Sequence, residues 1–422
     1  MTPPHTLPGR AALLDELATR LSADDAALGQ VSLVVISLDS FRQVKEGLGR
    51  DVGDLVLAEI GARLGLLGSP TTSVFRVDGD EFAVVCPRID GDEALAFGER
   101  LLAVVRRPIQ LPSRTLRLSA SVGVTTAPAG ITPTDLLREA DATTSSARSR
   151  GAGSVAVFRP VILATAENRL EVTADLAEAL DFESGLLLHY QPVYDLGTGA
   201  IVGAEALVRW QHPEHGMVSP DSFISIAEDT GLICGLGSWV LDTAVGQLAE
   251  WMPLIGEDFR MHVNLSPVET WHPGFLDRVV ASLDRHGMPP SMLLLEITET
   301  GLMTSAPEPM SLLNDLKRVG VDLGIDDFGT GYSSISYLRE LPVDVVKLDR
   351  SITSGVATSP AEYDLARSVF GLMRAAGLKV IAEGIETAVQ VAHLRALECR
   401  YGQGFHLARP TSAEQVTAML KA

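Results

Sequence analysis

Polar side chains recur at the ends of short apolar runs between residues 186 and 403. They are Glu205, Asn264, Glu296, the adjacent pair Asp326-Asp327, Lys347 with Asp349, Glu383 with Glu386, and Gln403. A carboxylate carried into the interior costs free energy unless a cation, a hydrogen bond or a metal ion compensates it. Here the pattern repeats on strand after strand, so the carboxylates converge. The set is rich in oxygen ligands and poor in His and Cys, which selects hard ions such as magnesium or manganese over zinc. Several carboxylates around one lysine fit two divalent ions about 3.5–4 Å apart, an arrangement that clamps a phosphoryl group and activates water. The reaction class these residues point to is phosphate ester hydrolysis.

The elements that must position these groups can be read from the alternation of strand and helix patterns. Candidate strands are 186–193, 201–208, 261–265, 292–297, 321–325, 343–348, 380–382 and 400–403. Helical patterns fill most gaps, at 221–230, 239–251, 273–286, 310–319, 362–376 and 389–397. About eight strands alternating with helices predict a (β/α)8 barrel, whose chemistry sits where the strands end. The connection 195–200 is too short for a crossover helix, so the first strand pair is expected to be antiparallel. The stretch GVDLGIDDFGTGYSS, Gly320–Ser334, reads as a strand ending in Asp326-Asp327, then a glycine-rich loop. Ser333 or Ser334 is placed as the cap of a helix ISYLREL that Pro342 closes. Gly329–Gly331 lacks the lysine and spacing of a phosphate-binding P-loop.

Composition sets the outer limits. The chain has 422 residues, 46% hydrophobic and 21% charged, enough for two or three globular domains. A net charge of −20 argues against binding nucleic acid through its phosphates, since no basic surplus is present to release counterions. Cys86, Cys234 and Cys399 match no metal or disulfide spacing and suit a reducing cytoplasm. No apolar run is long enough to span a membrane. The N-terminus lacks a signal-peptide core, and its abrupt start leaves room for a sensory region upstream. His189, His212, His215 and His262 match no metal-ligand spacing and are read as non-ligands. Trp210, Trp239, Trp251 and Trp271 are scattered and read as packing residues.

The C-terminal half, residues 168–422, resembles the EAL domain of cyclic di-GMP phosphodiesterases. The resemblance rests on EALVR at Glu205–Arg209 and on HYQPVYDL, VNLSP, LEITET, IDDFGTGYSS, VDVVKLDRS, IAEGIET and YGQGFHLARP, all in order. It implies hydrolysis of cyclic di-GMP to linear pGpG with two Mg2+ or Mn2+ ions. One ion would be held by Glu205, Asn264, Glu296 and Asp326, the second by Asp326, Asp327 and Glu383. Lys347 would position the attacking water and Arg209 would contact a phosphate. Gln191, Leu207, Asn264, Asp349, Glu386 and Gln403 would complete the substrate pocket. Glu299 would brace the 327–334 loop. His406 takes no catalytic part. A homodimer through this domain is implied, with no nucleic-acid partner.

The N-terminal half reads as a second α/β unit. Strands are expected at 31–39, 72–77, 82–87, 116–125 and 154–158, with helices at 52–67, 93–105 and 133–148. The tip Asp78-Gly79-Asp80-Glu81 has the Asp-Gly of a hairpin turn. Residues 7–160 resemble the GGDEF domain of diguanylate cyclases, an α/β sandwich, through LPGR, SLDSFRQVKEGLGRDVGD, DGDEF and SASVGVT. Family positions have changed, however. A metal-binding Asp falls on Ser37, a guanine-contacting Asn on Lys45, the first Gly of the signature on Asp78, and a Tyr and an Arg on Ser145 and Ala152. The inhibitory RxxD is replaced by GSPTTS. The expectation is a regulatory domain at 1–160 without cyclase activity, able to hold GTP through Asp54, Asp80 and Arg148. A linker at 161–168 and a helix at 171–182 follow, then the EAL domain at 169–422. The rival readings are a non-hydrolysing cyclic di-GMP receptor and a bifunctional enzyme that also makes the dinucleotide.

Overall fold

The computed structural model describes residues 7–22, 31–111, 114–270, 272–299, 301, 307–330 and 341–422. The expected cap at Ser333 or Ser334, the helix 335–341, Gly331 and Trp271 lie outside, or largely outside, these residues. The chain divides into two compact units, Met1–Leu170 and Glu171–Ala422.

In the first unit a five-stranded sheet runs in the order Ser73–Asp78, Glu81–Pro87, Val31–Leu38, Ala120–Thr126, Val155–Val157. All eight residues of Val31–Leu38 are buried, because the β-branched run VSLVVISL is central and covered on both faces. The Asp-Gly tip forms the expected hairpin, with Asp78 opposite Glu81 and Gly79 N donating to Asp78 Oδ1 at 2.8 Å. Three details differ from the sequence reading. A separate helix, Phe41–Leu48, precedes the helix Arg50–Gly65. The 116–125 strand is broken: Thr115–Leu116 pairs with Ile109–Gln110, and the sheet strand starts only at Ala120. The stretch read as a linker, 161–168, belongs to one helix, Pro160–Asp181. Its first proline fits the first helical turn, where no N–H is needed.

The second unit is a closed barrel of eight strands: β1 Leu186–Asp195, β2 Ile201–His212, β3 Arg260–Asn264, β4 Leu293–Thr298, β5 Asp322–Phe328, β6 Val345–Leu348, β7 Lys379–Ala382 and β8 Tyr401–Gly402. Strands β2 to β8 pair in parallel, and β1 closes the ring antiparallel to both β2 and β8. The β1–β2 joint is fixed by Asp195. Its Oδ1 accepts from Gly197 N at 2.9 Å and Thr198 N at 3.0 Å, and Gly199 takes φ 78° to finish the turn. Strand β2 runs four residues past the expected end, since Trp210–His212 pair with Gly216–Val218. Glu205 therefore lies inside its strand and not near its end. Strand β5 continues through a register shift to Phe328, with Asp327 at φ 54°.

Alternation along these strands sorts the side chains. Ala204, Ala206, Met261, Val263, Leu293, Leu295, Leu323, Ile325, Val346 and Leu348 join the large outer core. Their neighbours point inward. Val193, Leu294, Val345 and Ile381 form a small apolar plug inside the barrel. Glu205, Glu296, Asp326 and Lys347 are the next inward positions toward the carboxyl ends.

Candidate active site

Lys347 organises the inner rim. Its side chain is 1% exposed, and Nζ lies 2.9 Å from Glu296 Oε2, 2.9 Å from Glu383 Oε1, 3.1 Å from Glu205 Oε2 and 3.1 Å from Asp326 Oδ1. An ammonium has three N–H bonds, so four carboxylates cannot all be satisfied. The shortfall falls on Asp326 Oδ1, which is buried and accepts no hydrogen bond despite its 3.1 Å approach. Burial pushes the Lys347 ammonium toward neutrality, but the four carboxylates outweigh it and hold its pKa well above the usual lysine range.

The surrounding amides complete the network. Asn264 Nδ2 donates to Glu205 Oε1 at 2.8 Å. Gln403 Nε2 lies 2.7 Å from both Glu205 Oε2 and Glu383 Oε1, while its own Oε1 is buried without a partner. Gln191 stands opposite Glu205 in the β1–β2 register, and its Nε2 donates to Ala408 O at 3.1 Å. These contacts split the carboxylates electrostatically. Burial raises the Glu205 pKa, but Lys347, Gln403 and Asn264 together outweigh that and hold it down at about 2. Burial dominates at Asp326 and Glu383 and pushes them up to about 7 and about 8, with the neighbouring carboxylates adding to the rise and Lys347 opposing it. Asp327 is raised too, chiefly by burial.

Two trios could hold a cation: Glu205, Glu296 and Asp326, and Asp326, Asp327 and Glu383. In each, the ligand atoms lie within 4.8 Å of one another. Asp326 belongs to both. Five carboxylates thus face one ammonium, an imbalance that two divalent cations would cancel. The unpartnered Asp326 Oδ1 and Gln403 Oε1 offer further oxygen acceptors of the kind such ions take. The donor set fits hard divalent ions.

The other expected site residues are placed as follows. Arg209 is half-buried, donates to the Val208 carbonyl at 2.8 Å, and has its pKa lowered by burial. Leu207 is half-buried on the Glu205 face of β2. Asp349 caps the short helix Arg350–Thr353 by accepting from Ser351 N at 2.7 Å. Glu386 is exposed and paired with Arg350 at 3.0 Å. Glu299 is buried and accepts from Gly329 N at 3.0 Å, on the described part of the loop. His212 pairs with Asp175 at 3.0 Å and stacks on His215, away from the carboxylates. His262 is different. It lies inside the barrel, 3% exposed, with Nδ1 2.8 Å from Glu296 Oε1. Ligand-motif spacing carries no trace of that contact. The recoverable signal was strand parity, since His262 is two residues before Asn264 and must share its inward face.

In the first unit, Arg148 donates to Ser37 Oγ at the end of the central strand. Glu81 sits beside them; burial and then Asp80 raise its pKa, and Arg148 opposes the rise. Asp80 is half-buried at the hairpin tip and Asp54 is exposed on the helix Arg50–Gly65.

Comparison with known proteins agrees with this division. Residues 173–410 match the EAL domain family and residues 5–154 match the diguanylate cyclase GGDEF domain family. The bifunctional diguanylate cyclase/cyclic di-GMP phosphodiesterase MucR of Pseudomonas aeruginosa is 36% identical over 413 residues, covering 98% of this chain and 60% of MucR. The cyclic di-GMP phosphodiesterase NbdA of the same organism is 35% identical over 393 residues, covering 93% of this chain and 50% of NbdA. This chain therefore spans about half to three fifths of those relatives. A solved structure of the PaMucR phosphodiesterase in complex with c-di-GMP superposes with a TM-score of 0.55 at 41% identity, covering 58% of this chain and 99% of that one.

Proposed function

Because the chain belongs to the EAL domain family over residues 173–410, with a GGDEF domain ahead of it, we propose that it is a cytoplasmic cyclic di-GMP phosphodiesterase. It opens one phosphodiester bond to give linear pGpG. The observation that carries this reading is the Lys347-centred ring of four carboxylates at the carboxyl rim of the barrel. The names of MucR, NbdA and the c-di-GMP complex supply the substrate.

Glu205, Asn264, Glu296 and Asp326 would hold one divalent ion, and Asp326, Asp327 and Glu383 the other. Two bound Mg2+ or Mn2+ ions supply charge neutralisation at the phosphate and a more acidic bound water. The chain's own groups do the rest. Lys347 holds the carboxylates together, donating to Glu296 Oε2, and would position the attacking water. Arg209 offers its guanidinium to a substrate phosphate. Gln191, Leu207, Asp349 and Glu386 line the approach, and Gln403 orients Glu205 and Glu383. Glu299 braces the loop through Gly329.

We assign the domains as 1–160 regulatory, 161–168 connector and 169–422 catalytic, with a homodimer through the EAL domain. The regulatory domain does not synthesise the dinucleotide, since Ser37 brings no charge to the strand end and Arg148 already bonds to it. Its remaining Asp54, Asp80 and Arg148 are offered for GTP.

The test is chromatography of products after incubation with cyclic di-GMP and Mg2+, Mn2+ or chelator. A pGpG peak that needs the metal is expected. Binding without product would replace this reading with a non-hydrolysing receptor.

A further inference from the structure

Both oxygens of Glu296 are committed, as those of Glu205 are, but at Glu296 one of the partners is an imidazole. Oε2 accepts from Lys347 Nζ at 2.9 Å, and Oε1 lies 2.8 Å from His262 Nδ1. The Glu296 side chain is 0% exposed, so no water competes for either oxygen. Against a carboxylate at this distance, Nδ1 is the protonated nitrogen and donates. The imidazole sits in a slot prepared for it. A Cβ on Gly203 of β2 would come within 3.0 Å of His262 Nε2 and 2.8 Å of the Arg260 carbonyl. A glycine at that point of β2 therefore makes room for a ring on β3.

We propose that His262 is a positioning residue for the cation site. By holding Oε1, it fixes the Glu296 carboxylate plane and leaves Oε2 as the one oxygen presented to the ring interior. Without it, a carboxylate on two rotatable bonds beyond Cβ can turn, and can offer both oxygens or neither to the ion shared with Glu205 and Asp326. A ligand held by a hydrogen bond to its outer atom loses less freedom when it binds, and removing such a partner typically costs about 10–100-fold in metal affinity. This inference rests on the reading that the ring holds divalent cations.

The test is Mn2+ binding to the full-length protein, measured by calorimetry without substrate, with circular dichroism to confirm folding. His262→Asn keeps an N–H near the position of Nδ1. His262→Gln moves its donor further out, and His262→Leu removes it. The expected result is near-wild-type affinity for H262N, within about 3-fold, and a loss of about 10–100-fold for H262L and H262Q. Wild-type affinity in folded H262L overturns the inference. So does an H262N as weak as H262L, because packing alone would then explain the loss. If H262L does not fold, the contrast between H262N and H262Q decides, and equal affinities overturn the proposal. A wild-type protein that binds no Mn2+ fails the cation reading itself, and the inference with it. That outcome is distinct from a wild type that binds while the His262 variants match it.

Discussion

At the residue scale, the ring is an unusual concentration of buried charge, and its stability depends on balance. A buried ion that loses its partner costs about 3–5 kcal/mol, because the remaining charge is left uncompensated. Lys347→Met should therefore destabilise the metal-free protein by about 3–5 kcal/mol in urea unfolding at pH 8. Saturating Mn2+ should recover much of the loss; a variant as stable as wild type in chelator would contradict the balance described. Glu205 and Glu383 are expected to matter for chemistry more than for folding. Glu205→Ala and Glu383→Ala should each lower turnover of cyclic di-GMP by at least about 10²–10³-fold, with unchanged circular dichroism. Retention of full activity in either would remove that residue from the site. Both carboxylates could be assigned from sequence to the β2 and β7 segments. The hydrogen bonds that tie Gln403 to both of them could not be read that way, because they join residues of the β2, β7 and β8 segments that are far apart in sequence.

At the element scale, a second buried carboxylate shows how packing sets a charge. Glu269, on the short helix Pro267–Thr270, is 3% exposed and packs against Gly237 of the helix Ile233–Trp251. A Cβ at Gly237 would fall 2.0 Å from Glu269 Oε1, so Gly237→Ala should destabilise by about 1–3 kcal/mol, read as a lower unfolding midpoint. Burial pushes the Glu269 pKa up to about 7; Ser266 N at 3.1 Å and Arg278 oppose the rise, and Glu228 adds to it. The folded pKa is above the unfolded value, so the folded state binds the proton more tightly. This contribution to stability is full below about pH 4.5 and is lost as pH rises through about 7. Glu269→Gln keeps the shape and cannot ionise. Its Tm should gain on wild type between pH 5 and pH 8, and parallel Tm curves for the two proteins would show that Glu269 does not titrate in this range. Sequence reading placed most barrel strands to within a few residues. It ended β2 at residue 208, whereas pairing with Gly216–Val218 carries the strand to His212.

At the scale of the whole molecule, two units of different architecture share one helix, Pro160–Asp181, with the division falling at Leu170. Sequence reading took 161–168 for a linker between the two halves, whereas those residues lie within a helix. Their helical state shows only when their continuity with the following turns is seen. The assignment of a non-synthesising regulatory domain makes a direct prediction. Incubation of the protein with GTP and Mg2+ should yield no cyclic di-GMP by mass spectrometry, and appearance of the dinucleotide would make the chain bifunctional. Calorimetry at millimolar GTP tests the remaining nucleotide role, and an absence of heat would remove it.

The sequence by itself determined the fold class, the antiparallel opening of the barrel and the inward-facing carboxylates. Those follow from local signals: the period of two along each strand, the shortness of the 195–200 connection, and side-chain type. The tertiary structure alone decided which oxygens meet. It put four carboxylates around an ammonium with only three N–H bonds, left Asp326 Oδ1 unpartnered, and set His262 against Glu296 across neighbouring strands. Such contacts depend on the register between strands far apart in the chain. No periodicity within one strand encodes that register.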